Sequence, residues 1–74
     1  MNDARRNSLQ RAIGLLDQAY DIASNAKDEE LDGAENLPDN FWDKKEQMEA
    51  AADSLEEALD SILEAKSSIE EVVV

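Results

Sequence analysis

The sequence predicts an all-α fold: an antiparallel two-helix hairpin, coiled-coil-like with an alanine-rich seam, that dimerises into a four-helix bundle. Three observations predict it. Apolar residues recur at spacings of four and three through both halves of the chain, the mark of helices with a narrow buried stripe. The only proline, Pro38, stands near the middle; it lacks a backbone donor and pushes Leu37 out of the α region, so one continuous helix is disfavoured. Finally, Leu15 and Ile22 lie off the main stripe of the first half, widening its apolar surface beyond what one partner helix covers.

A single helical-hairpin domain over 1–74 is expected, with helix one at about 4–35, a corner at 36–43 and helix two at about 44–72. Asn2 or Asp3 can cap helix one, although a later start at Asn7 or Ser8 is also open. Its apolar positions run Leu9, Ile13, Leu16, Tyr20 and Ala23, and the register continues through Lys27 and Glu30 to Ala34 and Leu37. With Leu9 as heptad position d, the g positions are Ala12, Ala19, Ala26 and Gly33, a small residue in every heptad. Gly14 faces outward at b and costs about 1 kcal/mol relative to alanine.

The corner holds two of the chain's three aromatic residues, Phe41 and Trp42. They either cover the open end of the bundle, the ordinary role of aromatics beside a helix start, or stand out as an anchor for a partner. Asp43 with Glu46 spells a capping box for helix two. Alternatively, Asp39 after Pro38 begins a short helical turn across residues 40–42. Beyond this, Met48, Ala52, Leu55, Leu59, Ile62, Lys66, Ile69 and Val73 keep the same spacing, with Ala51, Ala58, Ala65 and Val72 at g. Small side chains there let helix axes approach closely. The closing valines, Val72 to Val74, end the seam and are expected to fray.

A turn centred near Phe41 sets Ile13 against Ile69, Tyr20 against Ile62, Ala23 against Leu59 and Ala34 against Met48. Leu16 then faces Lys66 and Lys27 faces Leu55, so each lysine runs its stem along the seam and carries its ammonium to water. The surplus apolars make a second seam of Leu15, Ala19, Ile22 and Ala26. A second hairpin packing there gives a homodimeric bundle; two scattered surface apolars are the plainer alternative.

Composition bounds the chemistry. Seventy-four residues sit near the size at which one core barely suffices. There is no cysteine and no histidine, so neither a disulfide nor an ordinary structural zinc site is expected. No apolar run approaches the roughly 20 residues of a membrane span. The opening Met-Asn-Asp-Ala-Arg-Arg-Asn is not followed by an uninterrupted apolar segment, so a signal peptide is not expected and a soluble intracellular protein is. Charge is divided unevenly: residues 1–27 carry four basic and three acidic side chains, and residues 28–74 carry three basic and sixteen acidic ones, together the formal net charge of −12.

No set of residues points to catalysis. Asp28, Glu30, Asp32, Gly33, Asn36 and Asp39 imitate a calcium loop, yet Glu35 stands where an apolar residue belongs and the last ligand position lacks glutamate. Glu46 with Glu49 and Glu57 with Asp60 imitate the magnesium pairs of all-α nucleotide pyrophosphatases, but both lie on one helix, opposite the seam. Serine hydrolysis lacks a histidine base, and no glycine-rich phosphate loop exists. An enzyme is not expected, and no cofactor or metal is.

What does stand out is an acidic stripe on helix two, with Glu46, Glu49, Asp53, Glu56, Glu57, Asp60 and Glu64 as its centre and Asp43, Glu70 and Glu71 extending it along about 40 Å. Such a band repels nucleic acid and anionic lipid and steers basic protein surfaces toward it. It is either a solubilising face or a mimic of a nucleic-acid backbone. In the second case its carboxylates occupy a phosphate-binding groove of another protein, with the salt dependence that implies.

The order of features, Asp28-Glu29-Glu30, then Ala34-Glu35-Asn36-Leu37-Pro38, then Met48-Glu49-Ala50, then Leu55-Glu56-Glu57-Ala58, resembles small acidic helical-hairpin proteins of phages and prophages of Gram-positive bacteria. The resemblance covers roughly residues 28–65; Gly33 and the Phe41-Trp42 pair depart from that pattern. It carries no functional residues across. It implies a phage protein in the cytoplasm of a bacterial host, where small acidic proteins act as inhibitors of host enzymes or defence complexes.

Overall fold

The structure is a computed structural model that describes residues 2–73. Helix α1 spans Asp3–Glu35 and α2 spans Trp42–Val72, with a single 3-10 turn, Asp39–Phe41, leading into α2. The two helices run antiparallel over their whole length and make a rod of 59 × 14 × 11 Å. The described residues contain no strand.

Local chemistry accounts for each boundary. Asn2 is the cap of α1: its side-chain oxygen accepts the Arg5 amide at 2.8 Å. Asp3 falls in the first turn, where its carboxylate suits the positive end of the helix dipole and meets Arg6 at 3.1 Å. The later start at Asn7 or Ser8 does not occur. At the other end the Asn36 and Leu37 amides donate to the Asp32 and Ala34 carbonyls, which tightens the last turn. Pro38 then holds the chain extended at φ −60°, ψ 152°, and its carbonyl accepts the Phe41 amide at 2.9 Å to close the 3-10 turn.

That turn overturns the expected capping box. The residue before α2 is Phe41, which has no side-chain acceptor, and no side-chain cap bond forms there. Helix two therefore starts at Trp42, two residues earlier than its spacing suggested, and Asp43 lies inside the first turn as a charge favourable to the dipole. The reason is that the 3-10 turn closed by the Pro38 carbonyl and the Phe41 amide runs directly into α2, leaving no non-helical residue at Asp43 for a cap. Residues 28–34 remain helical, so the calcium-like spelling never forms a loop. At the C-terminus α2 ends at Val72, and the Val73 amide still reaches the Ile69 carbonyl at 3.2 Å; the expectation of fraying at Val74 lies outside the described residues.

The core is thin. Ala34, Ala52 and Leu59 are its buried members, while Ile13, Leu16, Tyr20, Ala23, Leu55, Ile62 and Ile69 along the same seam are only half-buried. With one partner helix, each seam residue keeps a side open to water, and small domains depend on every such contact.

Gly33 marks the closest approach near the corner. A Cβ there would stand 2.5 Å from Met48 Cε, so even alanine would force the methionine aside. Gly14 meets nothing within 4 Å, in keeping with its outward position.

Candidate interaction surfaces of the hairpin

Among the described residues two ion pairs cross between the helices. Lys27 Nζ meets Glu56 Oε2 at 2.6 Å, and Lys66 Nζ meets Asp17 Oδ1 at 2.8 Å. Each lysine thus reaches the carboxylate next to the residue that the sequence register set opposite it. The stem lies along the seam and the ammonium emerges at its edge, as the length of lysine permits. The Glu56 hydrogen bond holds the Lys27 ammonium above the usual 10.5, against a smaller opposing effect of burial; the hydrogen bond and charge of Asp17 raise Lys66 in the same sense. A raised lysine contributes stability in full below its unfolded value and loses it as pH rises through the folded one. Thermal melts should accordingly fall more steeply above about pH 10.5 than those of a Lys27→Met, Lys66→Met variant; parallel curves would refute the coupling.

The same two pairs decide which sides of the helices face together. Both lysines occupy heptad position a and both carboxylates position e, so the e edges of α1 and α2 adjoin on one broad side of the hairpin. The g edges adjoin on the opposite side. This sorts the carboxylates of the central turns of α2 to one side.

The e side carries Asp17, Asp21 and Asp28 from α1 beside Glu46, Glu49, Asp53, Glu56, Asp60 and Glu70 from α2, and Glu57 and Glu64 continue the band around the back of α2. All of these are exposed. From Glu46 to Glu64 the seven central carboxylates are spaced at about one per 4 Å of axis, close to the roughly 3.4 Å between phosphates along one strand of DNA. Of the seven, Glu56 is the one bound within the chain, to Lys27. Among the described residues no cluster of three or more potential ligands is placed to hold a metal ion.

The g side is different in kind. Ala12, Leu15, Ala19, Ile22 and Ala26 of α1 lie beside Ala51, Ser54, Ala58, Ser61, Ala65, Ser68 and Val72 of α2, with no charged residue between them. Leu15 is 59% and Ile22 71% exposed. Glu29, nearer the corner, is the first charge met on this side.

At the corner Phe41 and Trp42 are 48% and 63% exposed, so they do not cover the end of the seam within one hairpin. The early start of α2 explains it: Trp42 becomes the first helical residue and takes an e position, pointing away from the seam. Leu31 and Leu63 are exposed at e positions too, among the carboxylates. Sequence reasoning passed over both, although the signal was available, since they fall on the edge that elsewhere in α2 carries acid. An open concavity of about 450 Å³ at the start of α1, lined by Asn2, Ala4, Arg5, Ser8 and Leu9, brings together no pair of acid and base groups.

No helix among the described residues is long and apolar enough to cross a membrane. A scan of protein-family models finds no match for the chain, and neither the curated proteins nor the solved structures provide one.

Proposed function

We propose that this chain is a non-enzymatic protein-interaction module of phage or prophage origin, which pairs with a second copy and binds a host protein through its acidic side. The observation that carries this reading is the separation of charge: carboxylates crowd the e side and the back of α2, while the g side bears none over most of its length. A face that only kept the protein soluble would have no reason to leave the opposite one bare.

In this reading the Leu15, Ala19, Ile22 and Ala26 face builds a homodimeric four-helix bundle, which buries the apolar surface a single hairpin leaves in water. The α2 carboxylates take the place of backbone phosphates in the groove of a basic partner, a nucleic-acid-binding or defence protein of the bacterial host, and inhibit it in the manner of an anti-CRISPR. Exposed Trp42, Leu31 and Leu63 among those acids supply the apolar anchors that protein interfaces use. The same charge repels nucleic acid and anionic membranes, and the site of action is the host cytoplasm.

A test is capture from host lysate at about 50 mM and 500 mM salt, using the native chain and a Glu56→Gln, Glu57→Gln, Asp60→Asn variant. A basic partner retained at low salt, lost at high salt and weakened about tenfold or more by the variant is the expected result. A partner indifferent to both would overturn the mimicry. The thin core favours a second reading, a structural or assembly module for which dimerisation is the whole function and the acids only solubilise. There the neutralised variant retains function and disruption of the dimer face abolishes it.

A further inference from the structure

We infer that the second copy seats with both corners at the same end of the bundle, so that α1 of one chain packs on α2 of the other. This rests on the dimer proposed above and deepens it. Two independent observations select the arrangement, one of shape and one of charge.

The ion pairs of Lys27 with Glu56 and Lys66 with Asp17 set the level of each residue across the hairpin. On that scale Leu15 stands level with Ser68, Ala19 with Ala65, Ile22 with Ser61 and Ala26 with Ala58. A two-fold axis along the rod lays each of these residues over its level partner in the other copy. The two exposed branched side chains then enter the spaces above serines, and alanine meets alanine. The opposite seating, with the axis across the rod and the corners at opposite ends, stacks α1 on α1 and α2 on α2. Leu15 and Ile22 would then meet Ile22 and Leu15 and wedge that side apart, while small residues alone would face one another on the other.

Charge favours the same choice. Helix α1 carries eight acidic and four basic side chains, a net of −4, and α2 carries ten and three, a net of −7. Same-end seating sets each α2 against the less charged α1 and holds the two α2 helices diagonally apart. The opposite-end form brings the two most acidic helices into direct contact. Over the charge-free length the face is about 30 Å by 20 Å, or roughly 1,200 Å² across both copies, enough for a specific interface at the lower end of the usual range. With same-end seating the two corners share one end of the bundle, and the Trp42 of each chain stays on its own outer e side.

The chain has no cysteine, so Asn40→Cys at the exposed corner accepts a single spin label per copy. Same-end seating predicts an interspin distance below about 30 Å, given helix axes 8–10 Å apart. Opposite-end seating of a rod 59 Å long predicts a distance above 45 Å, roughly, by the rise per residue. That longer distance would overturn the seating while leaving the dimer intact. A monomer mass by light scattering with no dipolar coupling would overturn the dimer itself. As a second readout, mixing Leu15→Cys chains with Ser68→Cys chains under oxidation should give the mixed disulfide-linked dimer. Its absence, with Leu15→Cys coupling to Ile22→Cys instead, would point to the opposite-end form.

Discussion

Replacing Leu59 with alanine is expected to lower the unfolding free energy by about 2–4 kcal/mol, the range for deleting a buried leucine side chain whose surroundings relax only in part. Leu59 is 3% exposed, and the two other buried residues, Ala34 and Ala52, are already small. Among the described residues no other side chain of that size is so fully enclosed. A chain this short has little stability to spare, so the loss should remove most of its margin. Urea titrations followed by helical circular dichroism measure it. Leu63→Ala is the comparison: at 47% exposure it should cost less than about 1 kcal/mol. Equal losses at the two positions would mean that the seam is not where the structure puts it.

For the proposed dimer, introducing charge at the g side, Leu15→Glu together with Ile22→Glu, is expected to weaken self-association by at least about 100-fold. Each dimer would then bury four carboxylates with no basic residue nearby, and the desolvation of even one such group costs several kcal/mol. Both positions are exposed in the single hairpin, so its own helices keep their packing. Light scattering should report the monomer mass, and the melting temperature should lose its dependence on protein concentration. A variant that still associates like the native chain would remove the g side as the dimer face. Neutralising Glu56, Glu57 and Asp60 should act in the other direction, strengthening association slightly by relieving repulsion between the copies.

Much of this protein was legible in the sequence because a helix imposes a fixed angle on each residue. Period alone therefore assigns Ile13, Tyr20, Leu59 and Ile62 to one stripe and Gly14 to the outside. One proline between two uninterrupted periodic segments leaves room for little besides a hairpin. The corner was harder. Asp43 and Glu46 have the right types at the right spacing for a capping box, yet a cap also needs non-helical backbone before it. The 3-10 turn after Pro38 takes that place, and the same turn shifts Trp42 onto the helix and out to solvent.

By itself, then, the sequence determined the two helices, their antiparallel pairing and the register along the seam, because all three follow from spacing and from one residue that cannot continue a helix. The tertiary structure alone decided where the seam lysines point. A lysine at position a can lean to either edge, and only the nearby carboxylates at Asp17 and Glu56 draw both ammonium groups to the e side. Once they do, the hairpin has an acidic side and a bare one, a distinction that exists only when two helices lie together.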